Sequence, residues 1–419
     1  MGWVFNAHIL TEKEDKTMVK VASLFSQLLQ HFPRTQFAHL VKEHQAQRHA
    51  KGFASWDQFV AMLFCQLAQA ESLRDICNGL RCTLGKLVHL GVTKAPNKST
   101  LAYANQHRPA DLYRDLFYQT YAHFQKTGGL GRRKTKFKFK NKLHSFDSTT
   151  ISLCLNLFPW AKFRRAKGGV KVHVALDHDS YMPSFVVITT AKVHDVRIAR
   201  ALDLNRGSII AFDRGYNDYE LFHLWTLKGI YFVTMMKENA VYQVVENRPL
   251  PKHRNILSDQ IIRLTGTRAE EKCPSLLRRI VVWDEENQRQ IVLLTNHRDF
   301  GPTTIAEIYK DRWEIELFFK ALKQNLKVKT FVGTSENALR IQIWTALIAI
   351  LLLKWLHHLS KAGWSFSTLA SMTRMNLFTY RDLQEWLNDP FHNEPIVPLP
   401  IQLNLPWTGL GQPTPMEKG

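Results

Sequence analysis

The stretch Ser208-Ile-Ile-Ala-Phe-Asp213-Arg-Gly215-Tyr216 is the part of the sequence that decides the fold. Its apolar run is typical of a strand buried on both faces of a parallel sheet. Asp213 stands at the carboxyl end of that run, and Gly215 predicts a turn directly after it. Ligand crevices of open α/β sheets lie at the carboxyl ends of their strands. The stretch therefore predicts an α/β fold with Asp213 at its functional edge.

The segments on either side complete the same pattern. Alternating or β-branched runs predict three strands at residues 143–154, 171–177 and 185–190. Helices are predicted at residues 195–204 and 219–227, and a further strand at residues 230–235. This order, βββαβαβ, is that of a ribonuclease H-like α/β domain. Residues 237–303 mix β runs with polar turns and are interpreted as a β-rich insertion.

A second aspartate, Asp147, lies within the first predicted strand. If its strand neighbours that of Asp213, the two backbones stand about 4.8 Å apart, so both carboxylates can share a cation. The other nearby aspartates have local explanations, because two lie in a predicted turn and two precede predicted helices as caps. These weaker candidates are Asp177, Asp179, Asp195 and Asp218.

A third acid, Glu316, belongs to a helix with Tyr309, Arg312 and Lys323 at offsets −7, −4 and +7. At about 100° per residue these side chains fall within about 40° of the glutamate, so one stripe of a single helix can face a phosphate and a metal together. Glu314 points to the opposite side. The alternative is a surface helix on which Arg312 and Glu316 form a solvated ion pair of small value.

Three ionised carboxylates converge only if their charges are compensated, because each desolvated charge costs several kcal/mol. A pair of divalent cations held by oxygen ligands supplies that compensation and suits phosphoryl transfer. We therefore expect Asp147, Asp213 and Glu316 to bind metal.

The first part of the chain, residues 19–124, has apolar residues at helical spacing. Three short predicted helices within it are compatible with a helix-turn-helix motif, although such helices also serve as packing elements. The positions that this motif would offer to DNA are Lys98, Ser99, Asn105, Gln106 and Arg108.

A basic segment, residues 128–142, joins this region to the first strand. It carries seven Lys and Arg residues within eleven positions, among them Arg132, Arg133 and Lys134, with two phenylalanines interleaved. A charge run of this kind is often only solvated, but one that leads into an acidic site can follow a phosphate backbone.

The predicted domain boundaries follow from these changes of pattern. Residues 341–353 form an apolar run of 13 residues, too short to span a bilayer and better explained as a buried helix. The expected organisation is a helical DNA-binding domain (1–127), a basic linker (128–142), a catalytic domain (143–340), C-terminal helices (341–393) and a flexible tail (394–419).

Composition favours a polyanionic partner. The chain has 419 residues with 56 Lys plus Arg against 36 Asp plus Glu, a net charge of +20 and a pI near 9.7. Nucleic acid is the usual partner of so basic a globular protein, with membrane surfaces and ribosomal RNA as alternatives. Five scattered cysteines and an N-terminus without a signal-peptide pattern indicate a reducing cytoplasm.

The Asp147 strand, the Asp213-Arg-Gly215-Tyr216 motif and the Tyr309, Arg312, Glu316, Lys323 signature together resemble the DDE transposases of the insertion sequence four family. Residues 160–171, which include Arg164 and Arg165, also resemble the segment before the second strand of that family. The resemblance covers roughly residues 143–329 and implies a ribonuclease H-like core with an insertion before the glutamate.

The resemblance also implies how such a protein works. Asp147, Asp213 and Glu316 would bind two Mg²⁺ ions, with Mn²⁺ able to substitute. The side chains of Tyr309, Arg312 and Lys323 would contact phosphates. The partners would be double-stranded DNA, at the inverted repeats of transposon ends and in the target, and a second copy of the chain in a synaptic homodimer. Cleavage would pass through a hairpin intermediate, in the bacterial cytoplasm at the nucleoid.

Two other functions remain open from the sequence. A nuclease on the same fold would hydrolyse DNA without joining it. A DNA-binding protein that descends from a transposase would bind DNA without cutting it, although the intact acidic residues argue against that alternative.

Overall fold

The structure is a computed structural model. It describes residues 22–395 except for positions 49, 51, 84, 132–135, 165, 166, 253, 254, 267, 327 and 329. The side chains of residues 163, 164 and 167 are not described either. The predicted flexible tail lies outside the described residues from position 396 onward.

Helices occupy both ends of the described chain and flank its middle. The α-helices are α1 (Leu24–Leu29), α2 (Arg34–Glu43), α3 (Ser55–Ala68), α4 (Leu73–Arg81), α5 (Lys98–His107), α6 (Asp111–Gly128), α7 (Asp195–Ala199), α8 (Tyr219–Leu227), α9 (Ala269–Lys272), α10 (Pro302–Asp311), α11 (Glu314–Asn325), α12 (Glu336–Leu359), α13 (Phe366–Asn376) and α14 (Leu383–Asn388). Short 3-10 turns lie at Lys86–Leu90, Pro159–Ala161 and Arg214–Tyr216.

The strands occupy the middle of the chain. They are β1 (Leu143–Leu153), β2 (Lys162–Arg164), β3 (Lys167–Asp177), β4 (Met182–Thr190), β5 (Ile209–Phe212), β6 (Tyr231–Met235), β7 (Tyr242–Asn247), β8 (Ile256–Leu264), β9 (Leu277–Asp284) and β10 (Arg289–Thr295).

All described strands join one sheet in the order β2-β3-β1-β5-β6-β10-β9-β8-β7, and β4 also pairs with β3. Strand β1 runs antiparallel to β3 and parallel to β5, which in turn is parallel to β6. All four residues of β5 are buried, as the apolar run predicts for a central strand. The predicted α/β order is therefore confirmed, with the short strand β2 as an addition.

The predicted insertion extends this sheet. Its last strand, β10, pairs antiparallel with β6, and β9, β8 and β7 follow outward as an antiparallel meander. The hydrogen bonds of the inner strands thus continue into the insertion, so the carboxyl edge of the core and the insertion belong to one rigid layer.

Helix α12 is the centre of the helical part. It packs against α3, α5, α6 and α13, and nearly all of its residues from Leu339 to Leu353 are buried. Helix α12 is long and apolar enough to cross a membrane, but 89% of its most apolar 18 residues are buried inside the protein. The expectation of a buried helix at residues 341–353 is confirmed.

The helices before and after the sheet share one apolar core. Residues of α1 to α6, of α11 to α14 and of one face of β3 and β4 belong to the same buried cluster. Hydrogen bonds cross between the two ends of the chain, since the Gln66 side chain donates to the Gln342 carbonyl and Asn337 donates to the Arg108 carbonyl. The predicted boundaries of separate N-terminal and C-terminal helical domains remain predictions, but the two segments pack as one body, which we call the helical body.

The contact between Gly128 and Trp355 tests this shared core. A Cβ added at Gly128 would lie 1.8 Å from Cη2 of Trp355, whereas one added at Gly363 would meet nothing within 4 Å. We expect Gly128→Ala to lower the free energy of unfolding by about 1–3 kcal/mol, because the stacked Trp355 ring must shift. The matched variant Gly363→Ala should change it by less than about 0.5 kcal/mol. Urea denaturation measures both, and equal stabilities would contradict the shared core.

Candidate active site

The two predicted aspartates lie side by side at one edge of the sheet. Phe146 of β1 is paired with Phe212 of β5 in the parallel register, so Asp147 and Asp213, the next residue of each chain segment, stand at the same level of neighbouring strands. Asp213 is in extended backbone conformation and precedes the 3-10 turn Arg214–Tyr216. The expected adjacency of the two strands is confirmed.

The predicted signature helix is interrupted at its centre. Helix α10 ends at Asp311 and α11 begins at Glu314, so the expectation of one continuous helix is wrong. Arg312 and Trp313 keep right-handed helical dihedral angles, but the backbone N–H of Glu316 donates to the Trp313 carbonyl at 2.9 Å, in a tighter 3-10 pattern. The change is small enough that Arg312 and Glu316 still lie one turn apart on the same side.

Arg312 joins the acid on the strand to the acid on the helix. Its Nη1 lies 3.8 Å from Oδ2 of Asp147, and its Nη2 lies 3.4 Å from Oε1 of Glu316. Helix α11 packs against β1, which explains how Glu316 reaches this edge. The i, i+4 ion pair that served as the alternative explanation is therefore present, but it is one half of a bridge between two of the candidate acids.

The pKa of Asp147 shows that the three acids lie close to one another. The pKa of Asp147 is raised to about 6, first because its side chain is buried to a large extent and then because Glu316 and Asp213 are negative. The backbone N–H of Ser148 and the Arg312 guanidinium act in the opposite direction. A carboxyl whose ionisation is opposed by two other carboxyls is the electrostatic sign of a shared site.

Polar groups on β1 and after β5 hold the Asp147 carboxylate in place. Its Oδ1 accepts hydrogen bonds from the backbone N–H of Ser148 at 2.7 Å and from the Tyr216 hydroxyl at 3.3 Å. Burial raises the pKa of Tyr216, and the charge of Asp147 adds to that rise, so the phenol remains a donor. Tyr216 thus connects the turn after Asp213 to the neighbouring aspartate.

Asp195 takes part in this network, which the sequence did not indicate. It was expected to cap a helix, but His194 is the N-cap of α7 and Asp195 is its first residue. Its Oδ1 accepts from the Ser148 hydroxyl at 2.9 Å, and its Oδ2 pairs with Lys171 at 2.9 Å. The available signal was the alternation of side chains along β3, which places Lys171 on the same face of the sheet as Ser148 of the neighbouring strand β1. Asp218 does cap its helix, as predicted.

Tyr309 and Lys323 lie on either side of the break. The Arg312 guanidinium stands 5.5 Å from the centre of the Tyr309 ring. Burial raises the pKa of Tyr309, and the charge of Asp213 contributes, which places the phenol close to the second aspartate. Lys323 lies in the last turn of α11 and is half-buried. Arg312 and Tyr309 therefore lie beside the acids on the helix side, and Lys323 lies about two turns beyond Glu316 on α11.

The oxygen atoms of these acids suit a hard divalent cation, although the described side chains do not form a complete ligand set. Among the described residues no three His, Cys, Asp or Glu side chains are close enough to hold a metal ion together. The acids supply only oxygen ligands, which such cations prefer. A cation there would stabilise the ionised form of Asp147, which burial first and then the charges of Glu316 and Asp213 disfavour.

Two of the predicted DNA contacts in the helical body differ in their exposure to solvent. Lys98 is exposed at the start of α5. Arg108 is buried instead, and its guanidinium donates to the carbonyls of Phe53 and Ala54 and to Gln58, while burial lowers its pKa. We correct the expectation for Arg108, because its donors are used inside the protein. Exposure depends on tertiary packing, which the helical spacing did not reveal. The same holds for Asn105, which is buried and bonded to Gln58.

The other predicted basic contacts lie partly outside the described chain. Arg132, Arg133, Lys134 and Arg165 are not described, and neither is the side chain of Arg164. The described part of the linker is anchored by stacked rings, since Phe139 lies between Phe137 and Phe300 at centroid distances of 5.0 and 4.9 Å. This stack fixes the exposed lysines of the linker near the start of β1.

A cavity of about 1070 Å³ opens beside the acids. Asp213, Tyr309 and Arg312 line one side of it, and the β9–β10 hairpin of the insertion lines the other. The exposed indole of Trp313 stands at its margin. The insertion therefore forms a wall of the candidate site.

Comparison with known proteins gives a consistent result. The family model described as transposase DDE domain matches residues 139–352, about half of the chain, and a domain of unknown function matches residues 20–93. A protein of Sinorhizobium fredii named as a transposase is 32% identical over 293 residues, which make up 69% of this chain and 80% of that relative.

Two further relatives carry the names of insertion sequence elements. One from Geobacillus stearothermophilus is 33% identical over 229 residues, 54% of this chain and 60% of the relative. The transposase of the insertion sequence element IS4 of Escherichia coli is 25% identical over 230 residues, 50% of this chain and 51% of the relative.

The raised pKa of Asp147 predicts an unusual pH dependence of stability. The pKa of this carboxyl is about 6 in the folded protein and about 3.9 in an unfolded chain, so the native state binds the proton more tightly. Stability should therefore fall as the pH rises from about 4 to about 6 and remain lower above that range. Without metal, Asp147→Asn should exceed the wild type in unfolding free energy by about 1–3 kcal/mol at pH 8 and match it at pH 4. Urea denaturation in a chelator measures this difference, and a difference that does not change with pH would contradict it.

Proposed function

Because this chain belongs to the transposases with a DDE domain, of the insertion sequence type, we propose that Asp147, Asp213 and Glu316 are its catalytic carboxylates. The observation that carries this assignment is the register of β1 and β5, which sets the two aspartates at one level while Arg312 links the first of them to the glutamate. The sheet supplies two acids and α11 supplies the third.

We propose that these three carboxylates hold two Mg²⁺ ions, with Mn²⁺ able to replace them. Bound ions of this kind activate the attacking oxygen and stabilise the leaving oxygen of a phosphodiester. The chain's own groups prepare the site for that chemistry, because Ser148 and Tyr216 fix the orientation of Asp147 and the 3-10 break directs Glu316 toward it.

Arg312 and Lys323, the basic side chains of the signature, would bind DNA together with Tyr309. Nη1 and Nη2 of Arg312 lie beside Asp147 and Glu316, so its guanidinium would stand beside a phosphate bound at these acids. Arg312, Tyr309 and Lys323 would contact phosphates near the cut, and the positive guanidinium would offset charge that develops on the scissile group. Their positions around the acids support this role.

The reaction proposed is cutting and joining of double-stranded DNA at transposon ends. Water attacks the phosphodiester at each end and releases a 3′-OH, which then attacks the opposite strand to form a hairpin. Opening of the hairpin and transfer of the 3′-OH into target DNA complete the reaction. The net charge of +20 and the large cavity beside the acids support DNA as the substrate.

The wider arrangement is proposed on the same basis. Residues 1–127 would bind inverted repeats, with Lys98 as one contact, and the linker at 128–142 would follow the backbone with Arg132, Arg133 and Lys134. Arg164 and Arg165 would add contacts ahead of β3. Two copies of the chain would pair two DNA ends, in the bacterial cytoplasm at the nucleoid.

Substitution of the acids tests the assignment. We expect Asp147→Asn, Asp213→Asn and Glu316→Gln each to lower the rate of end cleavage by about 10³-fold or more, because residues that act as a unit cannot replace one another. Binding of the same DNA in a gel-shift assay should be retained. Glu271→Gln is the control, since Glu271 is exposed on α9 and does not line the cavity beside the acids. Cleavage at the wild-type rate by any of the three variants would contradict the assignment.

A joining assay separates the two other candidate functions. The substrate is a supercoiled plasmid that carries the DNA from both sides of the gene, incubated with the protein and increasing Mg²⁺ or Mn²⁺. We expect cut ends and joined products that both disappear with a chelator. Cutting without joining would indicate a nuclease, and binding without cutting at every metal concentration would indicate a DNA-binding protein.

A further inference from the structure

A buried row of polar groups lies next to the candidate active site. His178, in the turn between β3 and β4, has its Nδ1 2.7 Å from Oδ2 of Asp311 and its Nε2 2.6 Å from the hydroxyl of Ser145. Lys136 of the basic linker donates to Oδ1 of Asp311 at 2.9 Å. The row therefore connects four separate parts of the chain: the linker, the end of α10, the β3–β4 turn and strand β1.

These groups are charged or polar and yet largely enclosed. The side chains of Asp311 and His178 are 8% and 5% exposed. Burial alone would raise the pKa of Asp311, but the bonds from His178 and Lys136 outweigh it and lower that pKa. An ionised carboxylate only accepts hydrogen bonds, so Nδ1 of His178 carries a proton and donates. Removal of either partner would leave a buried group unsatisfied, which is costly.

The order Ser145, His178, Asp311 has the hydrogen-bonding pattern of a hydrolytic triad, but it does not have the access. Ser145 lies within β1 and is completely buried, so no substrate reaches its hydroxyl. A nucleophile must be open to the group that it attacks. The serine is therefore an anchor of the row and takes no part in covalent chemistry.

The location of the two ends explains what the row can do. Ser145 and Asp147 are two residues apart on β1, so their side chains leave the same face of the strand. At the other end, Asp311 directly precedes Arg312, where the regular hydrogen bonds of the helix are interrupted. An interrupted helix is fixed less firmly by its own backbone, and a side-chain anchor at that point compensates for it.

We propose that His178 and Asp311 are positioning residues of the transposition reaction. The backbone N–H of His178 donates to the Leu143 carbonyl of β1 at 3.0 Å. The side-chain bond from His178 to Asp311 therefore holds the α10–α11 junction against β1 and keeps Arg312 and Glu316 in register with Asp147. The proposal rests on the catalytic role given above to these acids. The distance of 3.8 Å from Nη1 of Arg312 to Oδ2 of Asp147 is longer than a hydrogen bond, so this ion pair does not fix the junction by itself. A loosened junction would move Arg312 and Glu316 away from Asp147.

Two substitutions of His178 separate the halves of the row. In His178→Asn the amide nitrogen replaces Nδ1 and retains the bond to Asp311, while the contact with Ser145 is lost. In His178→Gln the amide reaches the place of Nε2, retains the contact with Ser145 and loses the bond to Asp311. We expect end cleavage by the Asn variant to have a kcat within about threefold of wild type, and that of the Gln variant to fall about 10–100-fold, as small misplacements do. The KM for end DNA should change by less than about twofold in both, because Arg312 is one phosphate contact among many and the others are not displaced.

A pair of similar chemistry far from the site provides the control. Nε2 of His44 lies 2.8 Å from Asp115 in the helical body. His44→Asn, whose shorter amide does not reach the place of Nε2 and so loses the bond to Asp115, should leave kcat unchanged. Thermal melting of all variants identifies the temperature below which each is folded, and the assays are run there. Equal losses in His178→Asn and His178→Gln, no loss in His178→Gln, or a loss in His44→Asn equal to that in His178→Gln would each overturn the proposal.

Hydrogen exchange gives a readout that does not depend on cleavage. Amides of residues 312–317 should exchange at the wild-type rate in His178→Asn and at least about tenfold faster in His178→Gln, because local opening of the junction becomes easier. Slow exchange in both variants would overturn the proposal. If the wild-type protein does not cut end DNA, the proposed function fails, and the exchange rates still decide whether this bond holds the junction.

Discussion

Burial of an aspartate beside two other carboxylates, at one edge of a sheet, is the constraint on which the rest of the structure depends. Parallel pairing of β1 with β5 places two aspartates at the same level, and α11 adds a glutamate. Arg312 offsets part of this charge, yet the pKa of Asp147 stays raised. Such a site stores unfavourable electrostatic energy in the folded protein, and the rest of the fold must stabilise it. The continuous sheet and the buried helical body provide that stabilisation.

The sequence allowed the positions of the acids to be predicted because their strands carry a strong local signal. The run before Asp213 is apolar on both faces, and only a central strand accepts such a run. The break at Arg312 could not be predicted in the same way, because the dihedral angles remain helical there and only the hydrogen-bond pattern changes. Residue type and spacing carry no information about so small a difference.

Side-chain partners across the fold were the other part that the sequence did not reveal. Arg108 has the charge and helical position of a DNA contact, but its guanidinium donates to two backbone carbonyls just before α3 and to the Gln58 side chain in α3. Asp195 has the position of a cap, but Lys171 and Ser148 engage its carboxylate. In both cases the decisive neighbours are far away in the chain, so pattern analysis of one segment could not identify them.

Hydrogen bonds between the two ends of the chain determine when the protein can become complete. The side chain of Gln27 donates to the Arg381 carbonyl, 354 residues later, and Gln66 bonds to a backbone carbonyl in α12. During synthesis the first helices leave the ribosome long before α12 is made, so they can pack on one another but the surface that α12 covers stays open for most of translation. The helical body is complete only after the sheet has been synthesised. A ribosome that stops before α12 therefore releases helices that lack the central helix of their core.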